Sequence, residues 1–154
     1  MTPRRFQPED PAEPLLALIS RTFSYMDGRV DPPSSMHRLT AASVADQARE
    51  GEIWIIGTPG APEACVFLTP DDDALYVGKL AVDHRARNHG FARILMDLAA
   101  ERARALGKRR LRLQSRIELT ENHAAFRRLG FTKTAVTAHE GYKRPTSITF
   151  EREL

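Results

Sequence analysis

The densest chemistry in the sequence lies at Asp83-His84-Arg85-Ala86-Arg87-Asn88-His89-Gly90-Phe91-Ala92-Arg93. An apolar run, Leu80-Ala81-Val82, precedes it, and Ile94-Leu95-Met96 follows. The first turn of a helix leaves backbone N–H groups without partners at the positive end of the helix dipole, so it attracts anions. Gly90 lets an anion approach the main chain without a Cβ in the way, and Ala92 adds little bulk beyond it. Arg85, Arg87 and Arg93 supply full positive charges around the same turn. Together they describe a clamp for a pyrophosphate. The turn lacks the Gly-Lys-Ser/Thr of a Walker loop and the Gly-x-Gly-x-x-Gly of a dinucleotide site.

Arg87-Asn88-His89-Gly90-Phe91-Ala92 fills every fixed position of the pattern Gln/Arg-x-x-Gly-x-Gly/Ala. In this the sequence resembles the acyl-CoA-binding motif of the GNAT (GCN5-related N-acetyltransferase) superfamily. Further on, Glu121-Asn122 to Leu129-Gly130-Phe131 looks like that family's second conserved helix and its Gly-Phe entry to the next strand. The resemblance covers residues 74–131 well and the flanks by element order. It implies an α/β fold, a central twisted mixed sheet of about six or seven strands with splayed central strands and about four flanking helices, as a single domain over 1–154. It also implies acetyl-CoA as co-substrate, with acetyl transferred directly to a primary amine of a small-molecule acceptor. Backbone of Leu80, Ala81 and Val82 would line the pantetheine arm, with Gly78 marking the bulge that opens the splay. Arg87, Asn88, His89, Gly90, Phe91 and Ala92 would hold the pyrophosphate, and Asn122 and Phe126 would stand near the thioester. Family members often pair, so a homodimer is a further expectation.

Acyl transfer to an amine requires a neutral amine, although a free lysine-like amine has a pKa of about 10.4. It also requires stabilisation of the thioester oxygen and a proton for the leaving thiolate. Many family members supply that proton from a tyrosine that falls here at Phe126, which has none to give. Tyr142, His139 or water is left for that role, and Glu118 or His139 for accepting the amine's proton. The acceptor is expected against Tyr25, Met26, Arg29 and Asp31. Asp27 and Asp31 would suit a cationic amine, whereas Arg29 and Arg38 would suit a carboxylate. Phe126 also leaves open a catalytically weak or inactive CoA-binding sensor.

These residues must be positioned by the elements around them. Residues 1–7 read as a first strand. Asp10, Pro11 and Glu13 read as a helix start with a capping box, and Leu15, Leu16, Ile19 and Phe23 carry that helix toward Asp27-Gly28. Thr40 caps a second helix ending at Gly51. Strands are expected over 53–56, 64–69 and 74–82, then a helix over 90–106 closed by Gly107. A strand at 111–114, a helix from Thr120 to Gly130, and strands over 131–138 and 147–154 complete the order βααβββαβαββ. His123 is expected on that last helix's surface, and Lys108-Arg109-Arg110 in a solvated turn.

The chain has 154 residues and a net charge of +3. No run approaches the roughly 20 apolar residues of a membrane helix, and no signal peptide is evident, so a cytoplasmic protein is expected without a membrane partner. Cys65 stands alone in an apolar run, which suggests a buried strand thiol. The five histidines lack zinc-ligand spacing, and no metal is assigned. From His84 to Arg116 there are ten Lys/Arg and two Asp/Glu, which implies an anionic partner. A nucleic acid is set aside because the segment lacks interleaved aromatics or a recognition-helix context.

Overall fold

A computed structural model describes residues 2–154. Met1, the start of the expected first strand, lies outside them. The strands are β1 (Arg4–Arg5), β2 (Glu52–Thr58), β3 (Ala61–Asp71), β4 (Ala74–Val82), β5 (Arg110–Arg116), β6 (Thr132–Thr137) and β7 (Ser147–Glu153). The helices are α1 (Glu13–Phe23), α2 (Ala41–Glu50), α3 (Phe91–Ala105) and α4 (Thr120–Arg128). One seven-stranded sheet runs β1-β2-β3-β4-β5-β7-β6. Only β4 and β5 pair in parallel; the other neighbours are antiparallel. The order expected from sequence is the order observed.

Alternation along the strands sends side chains to two cores. Val66, Leu68, Leu75, Val77, Leu111, Leu113 and Phe150 meet Leu95, Met96, Ala99 and Ala103 of α3. On the opposite face, Ile53, Ile55, Cys65 and Phe67 meet Leu15, Leu18 and Ile19 of α1 and Val44 and Ala48 of α2. Cys65 is fully buried, and desolvation pushes its thiol up to about 12, so it is an inert core residue.

The caps divide between agreement and correction. Thr40 caps α2 as expected, with Ser43 completing a reciprocal capping box. Asp10 does not cap α1. Its carboxylate accepts the Gln7 N–H at 2.8 Å instead, and α1 begins with Ala12 at its cap and Pro14 in its first turn. The local Asx-type turn satisfies Asp10 before the helix begins.

An ion-pair cluster ties α3 to the sheet. Glu52, 6% exposed, accepts from Arg102 Nε at 2.8 Å and Nη2 at 2.7 Å, and from Trp54 Nε1 at 2.8 Å. Burial alone would raise its carboxyl. The hydrogen bonds from Arg102 and Trp54, with the charge of Arg5, outweigh burial and hold it below its ordinary 4.5.

Candidate active site

The central strands part where the site forms. β4 pairs with β5 only at Ala74, Tyr76 and the Leu75 between them, opposite residues 110–112. Beyond that both strands continue unpaired with each other, β4 to Val82 and β5 to Arg116. A bulge in β4 accompanies the parting. Phe67 pairs with Gly78 and Cys65 with Ala81, so Lys79 and Leu80 together oppose Val66. The left-handed residue there is Lys79, at φ 50°, and not Gly78, which keeps an ordinary pairing. The bulge expected at Gly78 is therefore one residue further on. A β-carbon on Gly78 would meet the Tyr76 ring at 3.5 Å, an ordinary contact, so the ring does not demand glycine there.

A cleft of about 410 Å³ runs through this gap. Val77, Leu80, Met96, Leu113, Asn122 and Phe126 line it toward α3 and α4. Phe23, Tyr25, Met26, Ser35, Lys79 and His139 are among its other walls. Of the residues singled out from sequence, Tyr25, Met26, Leu80, Asn122, Phe126 and His139 line this cleft. Ala81 is buried against α1 and α2, and Val82 packs toward α3, so neither side chain lines the cleft.

At the end of β4 the chain enters the basic turn. Asp83 accepts the Arg85 N–H and binds Arg21 through Oδ2, at 3.1 Å from Nε and 2.6 Å from Nη2. The Arg21 hydrogen bond, then that of Arg85 N–H, holds the Asp83 carboxyl below its ordinary range. This anchors the turn to α1. Asn88 and Gly90 then take left-handed conformations, at φ 67° and 77°. Gly90 is the N-cap of α3 and has no side chain to satisfy the helix end. Among the described residues, the N–H groups from Asn88 to Arg93 find no protein acceptor. A β-carbon on Gly90 would meet nothing within 4 Å, so the space beside the turn is open. Arg87, Asn88, His89 and Arg93 are exposed around it, while the Phe91 ring is buried in the core and offers only its main chain. The turn has the unpaired donors, positive dipole end and free volume that a pyrophosphate requires.

The basic stretch that follows has a different purpose from the one its composition suggested. Arg102 pairs with Glu52, Arg110 with Asp73 and Glu153, and Arg112 with Asp71, Asp73 and Glu151. Lys108 donates to the Asp72 carbonyl at 2.7 Å. Three of these cations are thus neutralised by acids distant in sequence. The Lys108-Arg109-Arg110 segment is in part a structural ion-pair site.

The catalytic candidates divide. His139 lines the cleft, with its backbone N–H on Thr146 Oγ1 at 2.9 Å and its Nδ1 on the same oxygen. Burial, then the charges of Arg116 and Arg38, lower its pKa below 6.5, with Glu118 opposing. Glu118 stands behind the lining. Its Oε2 accepts the Asp31 N–H at 3.4 Å, and its Oε1 is buried without a partner among the described residues. Tyr142 donates its hydroxyl proton to Asp31 Oδ1 at 2.6 Å, and that bond raises its pKa. It does not line the cleft.

Two expected acceptor residues are likewise occupied by neighbours. Arg29 pairs with Glu121 at 2.8 Å, and Asp31 holds Arg144 at 3.0 Å as well as Tyr142. They fasten the α1–α2 loop to α4 and to the β6–β7 connection. His123 is a correction. It is 5% exposed, bonds the Arg116 carbonyl at 2.9 Å and packs on Phe150. Lys79 and Arg116 were not singled out from sequence, because a bulge and the parting of β5 from β4 bring them to the cleft.

The Acetyltransferase (GNAT) family profile matches residues 13–131. The chain belongs to the GNAT acetyltransferase family. Solved GNAT structures share its fold. A GNAT-family acetyltransferase of Staphylococcus aureus Mu50 covers 99% of this chain and 98% of its own at TM-score 0.75 and 13% identity. One from Elizabethkingia anophelis, solved with acetyl-CoA bound, covers 99% and 97% at TM-score 0.70 and 16% identity. A Bacillus subtilis acetyltransferase in complex with CoA covers 99% and 97% at TM-score 0.68 and 14% identity. No curated protein matches the sequence. Phe126, on α4, packs edge-on against Phe131 at 6.4 Å. Among the described residues, no helix is long and apolar enough to cross a membrane, and no cluster of potential metal ligands occurs.

Proposed function

We propose that the chain is a single GNAT domain that transfers acetyl from acetyl-CoA directly to a primary amine of a small acceptor. The observation that carries this reading is the row of unpaired N–H groups at Asn88–Arg93 beside a cleft opened by the β4–β5 splay. The donor's pyrophosphate rests on those donors, its arm follows the main chain of Leu80 and Val82, and its thioester reaches Asn122 and Phe126. The phosphates stay at the helix end, while the neutral thioester enters the cleft.

His139 is the base for the amine. Its lowered pKa keeps the ring neutral near pH 7, and a ring proton donated from Nδ1 to Thr146 leaves Nε2 as the acceptor. Glu118, with one buried carboxylate oxygen unpartnered, stands behind it and supports the positive charge that His139 acquires. Tyr142 has its proton on Asp31 and serves to hold the loop. Two phenols line the cleft, Tyr25 and Tyr76; burial pushes the Tyr76 hydroxyl up, and Tyr25 is the one held by Asn122. Its oxygen accepts from Asn122 Nδ2 at 2.9 Å, leaving its own proton free for the departing thiolate. Asn122 lies one helical turn before Phe126, so a tyrosine from the α1–α2 loop substitutes for the one α4 lacks.

The test is thiol release from acetyl-CoA with a panel of primary amines, together with mass detection of the N-acetyl product. Tyr25→Phe is expected to lower kcat about 100-fold with an unchanged KM for acetyl-CoA. His139→Ala is expected to remove the acidic limb of the kcat/KM profile, which lies below pH 6.5 in the wild type. Wild-type rates in both variants, and in Glu118→Gln across the same pH series, contradict these roles. In the second reading, favoured by Phe126, the protein is a CoA-binding sensor; CoA uptake with no thiol release above the spontaneous rate supports it.

A further inference from the structure

The cleft contains more positive charge than acyl transfer to an amine requires. Its lining includes Arg38, Lys79 and Arg116, and no Asp or Glu. Lys79 makes no ion pair among the described residues; its ammonium donates to the Ser35 hydroxyl. Burial, then the charges of Arg38 and Arg116, push that ammonium below its ordinary 10.5. Arg38 is exposed at the rim and also lacks an ion pair. Arg116 is half-buried and donates to the Pro32 carbonyl and to that of Pro33 at 3.0 Å. Those neutral acceptors orient the guanidinium without cancelling its charge. The acids acting on Arg116, Glu118 and Asp31, both lie outside the lining.

The backbone supports a purpose for this arrangement. Lys79 occupies a left-handed conformation that costs an L-residue about 1–2 kcal/mol relative to glycine. A strained, half-buried cation without a counter-ion is unfavourable for folding alone. Nor does CoA account for it, because in the proposed pose the phosphates lie at the α3 end and the part entering the cleft is neutral. Two consequences follow for the acceptor. An oxyanion on it would complete the ion pairs that Lys79 and Arg38 lack. The same cations would disfavour an ammonium and so favour the neutral, nucleophilic amine.

We infer that the acceptor is a small amine that also carries an oxyanion, a carboxylate or a phosphate-type group, held by Lys79 and Arg38 at the β4 bulge. This rests on the acyl-transfer reading and names the substrate class of that site. It gives Lys79 a positioning role: the anion is fixed at the bulge while the amine reaches toward the thioester between Tyr25 and His139.

The experiment compares matched acceptors: amino carboxylates, their carboxamides, the parent alkylamines and aminoalkylphosphonates, each with acetyl-CoA. The expected result is a kcat/KM about 100-fold higher for the anionic member, equivalent to about two charge-assisted hydrogen bonds. The carboxylate and phosphonate arms show which oxyanion the site takes. Lys79→Met is expected to reduce that ratio below about 5-fold, and Arg38→Ala to reduce it by about 10-fold, with CoA affinity by calorimetry unchanged in both. Thermal melting checks that Lys79→Met is folded; Arg38, at the surface, is a second variant without that concern. Carboxamides equal to the acids, or an unaltered ratio in both variants, overturn the inference. If no amine in the panel is turned over, acetate and inorganic phosphate are titrated into the CoA-saturated protein. Binding lost in Lys79→Met supports the anion site, and no binding in the wild type overturns it. Failure of the acyl-transfer reading is distinguishable, since it shows as no uptake of CoA, or as uptake of CoA without thiol release for any amine. The same anion titration of the CoA-free protein then judges the pocket alone.

Discussion

Gly90→Glu is expected to lower kcat/KM for acetyl-CoA by about 100-fold or more while leaving the fold intact. Two effects act in the same direction. A side chain projects into the open space before the α3 N-terminus, where a Cβ meets nothing within 4 Å. Its carboxylate then competes with the pyrophosphate for the N–H groups of Asn88–Arg93 and opposes it electrostatically. Losing two charge-assisted hydrogen bonds at about 1.5 kcal/mol each already corresponds to about 100-fold. The left-handed φ of 77° adds a folding cost of about 1–2 kcal/mol. Gly90→Asn separates the two, because asparagine tolerates that conformation and adds no charge. It should melt near wild type and lose less than Gly90→Glu. Saturation kinetics in acetyl-CoA for the three proteins provide the check, and an unchanged KM in Gly90→Glu would place the pyrophosphate elsewhere.

Arg102→Met is expected to be the more damaging change for stability. Glu52 then keeps only Trp54 as a close partner, with Arg5 distant at 3.9 Å. Breaking a buried pair by removing one member costs about 3–5 kcal/mol, and the partial exposure of Arg102 argues for the lower figure. At about 2–4 °C per kcal/mol for a chain of this size, the melting point should fall by about 10 °C. The sign with pH is fixed by the depressed Glu52 carboxyl. The pair's contribution is complete above the unfolded value of about 4.5 and is lost as pH falls through the lower folded value. The gap between wild type and variant should therefore narrow in acid. Thermal melts at pH 7 and pH 4 measure it, and an equal gap at both would contradict the ion-pair account.

Features encoded locally were legible in the sequence. The Thr40 cap, the apolar stripe of α3, the Gly90 turn and the strand order all emerge from residue types a few positions apart. What was not legible depends on distant partners. Arg102, Arg110 and Arg112 read as a basic segment awaiting an anion, and their acids lie in β2, the β3–β4 turn and β7. His123 read as a surface residue because the acceptor that buries it, the Arg116 carbonyl, is supplied by another element. Lys79 gave no signal, since a bulge is a property of register between strands, and the glycine beside it drew the expectation instead. At the site, the same limit applies. The proposed donor half lies on one contiguous turn, so its residue types could be read together. The acceptor half is assembled from the α1–α2 loop, the bulge, β5 and the last connection, and its loop residues Arg29 and Asp31 turned out to be committed to ion pairs. An alternative ring, Tyr25, takes on importance only through Asn122, far along the chain.

Calorimetric titration of wild-type protein with CoA and with pantetheine tests the central claim, because the two share the thiol arm and differ in the pyrophosphate and nucleotide. Saturable one-to-one uptake of CoA, with pantetheine at least about 100-fold weaker, is the result expected from donors held open at the start of α3. Equal affinity for both, or no uptake of either, would contradict it.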